Sequence, residues 1–422
     1  MNPVDALCDF AAAPHVLPPE VRADALRLLG DTLAVGAAGN TAPGADAVLA
    51  LAEGWGSGAD ARLIGSPQRL PAASAAFVNG FRIHCLEWDA VHEPAVAHAL
   101  SVVTAALAAA IDRRGGADAD EALTALAVGV EIASLLGVAA SSPLRFFRPA
   151  TAGLLGAALA VARLDGLVGP DVLGLAYGQV AGTMQAHVEG SIALPLQVAA
   201  AARAAIVAVD MVKAGLTGPH DVLTGPFGYF RLIDTGDPAP HLAGLGRHWR
   251  ISDVSVKPWP CGRASHAGLS VLAGRADVLA AEFSVPPLVA RLVGRPALAG
   301  MTPAYGRLCL PFLAALMQRD GRIDPRAFTA AGLADPALLA AAARFTVTVD
   351  ANPDPNALSP QAARLHHADG STTQHAIAAT LGSPAAPLAA AGMAAKAALC
   401  AELAPGADPQ LFSQPLQWFT GR

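Results

Sequence analysis

A mainly α chain is predicted, with a large all-helical domain and a smaller α+β domain. Three observations predict it. Ala-, Leu- and Val-rich runs with apolar residues at helical spacing follow one another through residue 255, almost without strand-like alternation. Alternation then appears, as in Ala343–Asp350, ARFTVTVD. Past Gly382-Ser383-Pro384 the helical pattern resumes. The expected division is 1–255 for the first part of the helical domain, 256–383 for the α+β domain, and 384–422 for C-terminal helices returning to the helical domain. A length of 422 residues suits two cores better than one.

In chain order, Leu17-Pro18-Pro19-Glu20 opens a helix whose stripe is Val21, Ala25, Leu28, Leu29, Thr32 and Leu33, with Gly36 and Gly39 ending it. A second helix is expected near Ala45–Trp55, an extended piece at Ala61–Ile64, and a helix from Pro71. Further helices are predicted at Ser101–Arg113, Asp118–Leu136, Ala152–Leu164, Pro170–Glu189 and Leu196–Ala214. In the second domain ISDVSVKPWP and PLVARLVGRP read as short strands. Ser265–Leu279 and Pro311–Met317 read as helices, and Asp369-Gly370 marks a hairpin. Leu388–Leu403 is helical again.

Composition narrows function. An apolar fraction of 53% raises the question of a membrane, yet the most apolar runs are short or interrupted by Arg, Asp and Gly, so no membrane partner is expected. The first twenty residues lack a basic segment before an apolar core, which points to the cytoplasm. A net charge of −6 argues against nucleic acid. Five cysteines, far apart and without a C-x-x-C pair, argue against disulfides and against zinc or iron–sulfur sites. No nucleotide-binding fingerprint or H-E-x-x-H occurs in a suitable context.

Chemistry concentrates instead in Asn79–Ser101, NGFRIHCLEWDAVHEPAVAHALS. It holds His84, His92, His98, Glu87, Asp89, Glu93 and Cys85 in a chain only 15% charged. This stretch resembles the N-G-x-x-x-H-x-L-[DE]-[FW]-D-D-T-H…H-P-S signature of the MmgE/PrpD family. VKPWPCGRASHAGLSVL resembles that family's K-P-Y-P-C-C-R-Y-T-H-P segment, in the same order and at the same spacing. Further similarity at Ala214–Phe230, LCLPFLAALMQRDGRI and DGSTTQ…LGSPAAPL extends it over nearly the whole chain.

The family includes dehydratases, decarboxylases and an epimerase of small carboxylates. The resemblance implies that the smaller α+β domain is a lid domain, with a site between the two domains, a homodimer, a small carboxylate substrate, and neither metal nor cofactor. It makes His98 the catalytic acid/base, Asp89 and Glu87 the acids that orient it or meet the substrate, and Lys257 the cation that neutralises a substrate carboxylate. Such chemistry builds negative charge beside a carboxylate, so it needs a base and fixed donors. Arg263 and His266 match the family's R-x-x-H, as contacts or as support. His84 and His92 are expected to be structural, and Cys261 to be a weak nucleophile candidate.

Departures from the pattern share a direction. Val91 replaces the Thr of D-D-T and Ala90 its second Asp; Arg148 stands where many members have His; Leu194 replaces a lysine; Gly262 replaces a Cys or His. Fewer polar groups predict a substrate with fewer carboxylates and more apolar surface than methylcitrate or aconitate, with Arg148 taking one carboxylate. Three readings remain: a cofactor-free lyase, an isomerase or epimerase with His98 and Lys257 as flanking bases, and a non-catalytic member that kept the fold.

Overall fold

The computed structural model describes residues 2–421. Its larger core is a helical assembly built on Pro19–Ala38, Ala72–His84, Ala99–Arg113, Ala119–Val138, Arg148–Asp165 and Ala193–Lys213. Small residues let these helices close up. A Cβ at Gly156 would stand 2.3 Å from the Gly129 carbonyl oxygen, so Ala119–Val138 and Arg148–Asp165 touch backbone to backbone there. Ala119–Val138 is long and apolar enough to cross a membrane, but 89% of its most apolar stretch is buried inside the protein. Ala193–Lys213 meets the same length and composition test with 56% buried.

A second core lies under a four-stranded sheet in the order Phe345–Val349, Val278–Val285, Gln361–His367, Thr372–Ile377. The first pair is parallel and the other two are antiparallel. The last two strands form the hairpin expected from Asp369-Gly370, whose glycine takes φ +85°. Helix Ala390–Leu403 then packs on Pro19–Ala38, and the buried Lys396–Asp31 pair (2.7 Å) pins it there.

Five local expectations need correction. PLVARLVGRP is not a strand: Pro287–Val293 is a helix with proline in its first turn, where the missing N–H costs nothing. Ser265–Leu279 is not one helix, because His266–Leu272 ends and strand Val278–Val285 follows, the pairing of that strand overriding the local pattern. Pro170–Glu189 breaks into Pro170–Tyr177 and Gln185–Glu189 around Gly178 and Gly182. Helix Pro3–Ala12, capped by Asn2, precedes the first one expected. Within ISDVSVKPWP only Val254–Ser255 is extended in a ladder, since the prolines that follow cannot continue one.

Candidate functional site

Backbone pairing brings the two chemistry-rich segments together. Val91–His92 pairs antiparallel with Val254–Ser255, in the register Val91 to Ser255 and His92 to Val254. Lys257, two residues beyond, is thereby carried under the Glu87–Asp89 loop. Trp88 locks that loop from outside, donating its indole N–H to the Pro258 carbonyl (3.2 Å), while Lys396 donates to the Trp88 carbonyl (3.1 Å).

Asp89 is wholly buried and stands at the centre. Its Oδ2 accepts from His84 Nδ1 at 2.9 Å and from the Ser101 hydroxyl. His98 Nδ1 lies 3.0 Å from the same oxygen, in ion-pair range but off the line of an aligned hydrogen bond. Lys257 Nζ donates to the Glu87 carbonyl (2.9 Å) and to Glu87 Oε2 (3.2 Å), and stands 3.9 Å from Asp89 Oδ1. His84 Nε2 is 3.4 Å from Glu87 Oε1. Two acids, two histidines and a lysine therefore share one dry cluster.

The charges in this cluster follow from their neighbours. Burial opposes ionisation of Glu87, but Lys257, His84 and His98 outweigh it and hold the carboxyl down at about 2. Asp89 is likewise buried, and the two histidines hold it well below the usual carboxylate range. Burial disfavours the His84 imidazolium, and the carboxylates of Asp89 and Glu87 reverse the balance and raise its pKa. At His98 burial wins and the pKa is lowered, Asp89 opposing it and Lys257 adding to it. His98 is thus a neutral imidazole resting against an anionic, hydrogen-bonded aspartate.

His98 occupies the N-cap position of helix Ala99–Arg113 and borders a small cavity of about 60 Å³ between the two cores. The wall is largely apolar: Val91, Val96, Leu144, Phe147, Met184 and Leu358 among others. Glu87 (φ +53°) and Val96 (φ +49°) are the only non-glycine residues with left-handed backbones among the described residues, and both line this cavity. Strain of this kind costs ~1–3 kcal/mol per residue and persists where the surroundings impose it.

Of the residues marked by sequence, Glu87, Val91, His98, Arg148, Gly262 and Arg263 line the cavity. Asp89 and Lys257 stand behind it. The expectation that Arg148 receives a substrate carboxylate is corrected by its partners. Its guanidinium, itself wholly buried, holds Asp234 through Nε and Nη2, both at 3.1 Å, the Ser142 carbonyl at 2.9 Å and Asn356 at 3.2 Å. Arg263 is similarly engaged by Glu93 (2.8 Å) and by the Leu381 and Thr380 carbonyls. His266 sits between the Gly262 and Trp259 carbonyls, away from the cavity, kept neutral by burial and by Arg263. Leu194 borders a neighbouring cavity instead. Burial pushes the Cys261 thiol far up, which keeps it an unreactive thiol.

Sequence reasoning missed His187. It lines the cavity and lies in the short helix Gln185–Glu189. Arg295 Nη2 is 3.1 Å from His187 Nδ1, and a guanidinium only donates, so Nδ1 must be the acceptor and Nε2 must carry the proton. Burial, with Arg295, lowers its pKa to about 3, so it stays neutral. No periodicity or motif marks it, because the run around it reads as one uninterrupted helix.

His84, Asp89 and His98 also form a group of metal-ligand type, their nearest atoms all within 4.8 Å of one another, which sequence spacing had not foreseen. Their contacts are those of hydrogen bonds and ion pairs. The Lys257 ammonium beside Asp89 already supplies positive charge where a cation would supply it.

The MmgE/PrpD N-terminal domain matches residues 5–241 and the MmgE/PrpD C-terminal domain matches residues 271–412. Human cis-aconitate decarboxylase is 29% identical over 273 residues, 62% of this chain and 56% of that protein. The cis-aconitate decarboxylase-like protein oryM of Aspergillus oryzae is 27% identical over 294 residues, 64% of this chain and 61% of its own length. The matched stretch thus spans little more than half of these relatives. With both domains matched across most of its length, the chain belongs to the MmgE/PrpD family.

Proposed function

We propose that the protein is a cofactor-independent, metal-free lyase that dehydrates or decarboxylates a small organic acid by proton transfer at His98. The observation that carries this reading is the placement of one neutral imidazole between a buried aspartate at Nδ1 and an apolar cavity. With Nδ1 turned to Asp89, Nε2 is the nitrogen left to exchange a proton with a substrate carbon. In a dehydration it takes the proton beside the carboxylate and passes it to the departing hydroxyl, so that water leaves as the C–O bond breaks. In a decarboxylation the C–C bond breaks, carbon dioxide leaves, and the electron pair left on the adjacent carbon takes a solvent proton that His98 has first picked up at Nε2. Asp89 stabilises the imidazolium in either case, and Lys257 and His84 keep Asp89 and Glu87 ionised. The His187 Nε2–H supplies a neutral donor for charge growing on the substrate.

The substrate carries fewer carboxylates than methylcitrate or aconitate. The apolar wall and the engagement of Arg148, Arg263 and Lys257 by protein carboxylates support this. An epimerase needs a second base, and Lys257 is bound by Glu87 while His187 is held as a donor. The α+β unit serves as a lid over the cavity, and the working form is a cytoplasmic homodimer without nucleic-acid or membrane partners. Incubation in deuterated water with candidate acids tests the reaction. Release of water or carbon dioxide supports a lyase, exchange without net loss an epimerase, and silence with every candidate a non-catalytic role. Efficient turnover of 2-methylcitrate or cis-aconitate would sink the substrate assignment.

A further inference from the structure

Buried cations in this protein are hydrogen-bonded to protein acceptors, with one exception among the described residues. Arg82 donates to the Ile64 carbonyl, Arg148 to Asp234, Lys257 to Glu87, Arg263 to Glu93 and Lys396 to Asp31. Arg307 is only 3% exposed, yet its side chain donates no hydrogen bond and has no carboxylate in ion-pair range; its Nε is buried and unpartnered. Its one side-chain partner of note is the Phe328 ring, 4.6 Å from the guanidinium carbon. Burial lowers its pKa to about 10, which still leaves it charged at neutral pH. A buried charge without a counterion is among the costliest groups a fold can carry, and an arriving anion removes that cost.

Arg307 lines a second cavity of about 480 Å³, together with Glu189, Ser191, Leu194 and Thr302. This cavity adjoins the small one at His98, because Glu87 and Leu308 line both. The Gly262 N–H donates to the Arg307 carbonyl at 2.9 Å, which ties the two walls together. Leu194, where the family resemblance places a lysine, leaves Arg307 as the unmatched cation of this space.

We infer that Arg307 is the docking point for a single carboxylate of the substrate, held in the larger cavity, with the reacting carbon reaching past Glu87 and Leu308 to His98. The inference rests on the acid/base reading above and adds the residue that binds the anion. A planar guanidinium takes a carboxylate through two parallel hydrogen bonds, and Glu87 and Glu189 on the same wall repel a second one.

Calorimetric titration tests it, using straight-chain C4 to C6 monocarboxylates from crotonate to hexanoate, with their primary amides as neutral counterparts. The wild-type protein should bind at least one acid, Arg307→Met should bind it at least tenfold more weakly, and Arg307→Lys should recover part of the loss. Amide binding should be equal in all three. Without ligand, Arg307→Met should melt no lower than wild type, since it removes an unpaired charge. A folded Arg307→Met with wild-type carboxylate affinity would overturn the proposal, and so would a wild-type protein that binds none of the acids. His98→Gln separates the two readings: undiminished carboxylate binding without proton exchange supports both, whereas undiminished exchange damages the acid/base reading and leaves the Arg307 result standing.

Discussion

Two buried polar clusters invite comparison. Around Arg148 and Asp234 the accounting closes: a two-point ion pair, the Ser142 hydroxyl on Asp234 at 2.8 Å, the Ser142 carbonyl on Arg148, and Asn356 on the remaining nitrogen. Around Asp89 it does not close. His84 Nε2, Asp89 Oδ1 and His98 Nδ1 are buried without an aligned hydrogen bond, and two strained residues stand nearby. A closed network holds elements together; an open one keeps groups ready for something that arrives. The comparison teaches that charge in a cavity wall is not by itself a binding group, because Arg148 borders the cavity and is fully engaged.

Substitutions can break this contrast, beginning with the largest expected effect. His98→Gln should lower turnover by ~10²–10⁴ while the circular dichroism spectrum and melting temperature stay near wild type, as general acid/base removal does. Asp234→Asn should do the reverse. It strands a buried guanidinium and should cost about 3–5 kcal/mol of stability by chemical denaturation.

A pH profile sharpens the account further. In a dehydration His98 acts as the base and must be neutral, and its pKa is lowered, so that activity should persist below the ordinary histidine value of 6.5 before falling. Asp89 raises that pKa and Lys257 lowers it. Asp89→Asn should therefore move the acid limb of kcat/KM to lower pH, and Lys257→Met should move it up. Limbs that move in the opposite directions would separate His98 from the titration. Because the Lys257–Glu87 pair is dry, the effect of Lys257→Met should also depend little on salt, unlike that of a surface lysine. The smallest effect belongs to Val96→Gly. Relief of its left-handed backbone offsets lost packing, so stability should stay within about 1 kcal/mol of wild type while turnover drops.

Much of the fold was legible in the sequence because helical periodicity is a local signal. Ala99–Arg113, Ala119–Val138 and Ala193–Lys213 fall within a few residues of where apolar spacing puts them. Strand Val278–Val285 was not legible, since it owes its state to partners more than sixty residues away. The site divides in the same way. Motif spacing drew attention to His98, Asp89, Glu87 and Lys257, which the structure gathers into one cluster. It could not reveal that Arg148 already had Asp234, or that Arg307 had no counterpart, because both depend on which side chains meet across the cavity. His187 needed Arg295, 108 positions later, to fix its tautomer.

The central claim is that His98, backed by Asp89, moves a proton at a carbon beside a carboxylate. Deuterium uptake from D₂O into candidate acids, followed by NMR with wild type and His98→Gln in parallel, tests it most directly. The account predicts label in substrate or product with the wild type and loss of labelling by at least a hundredfold in the variant. Equal labelling by both proteins would contradict it.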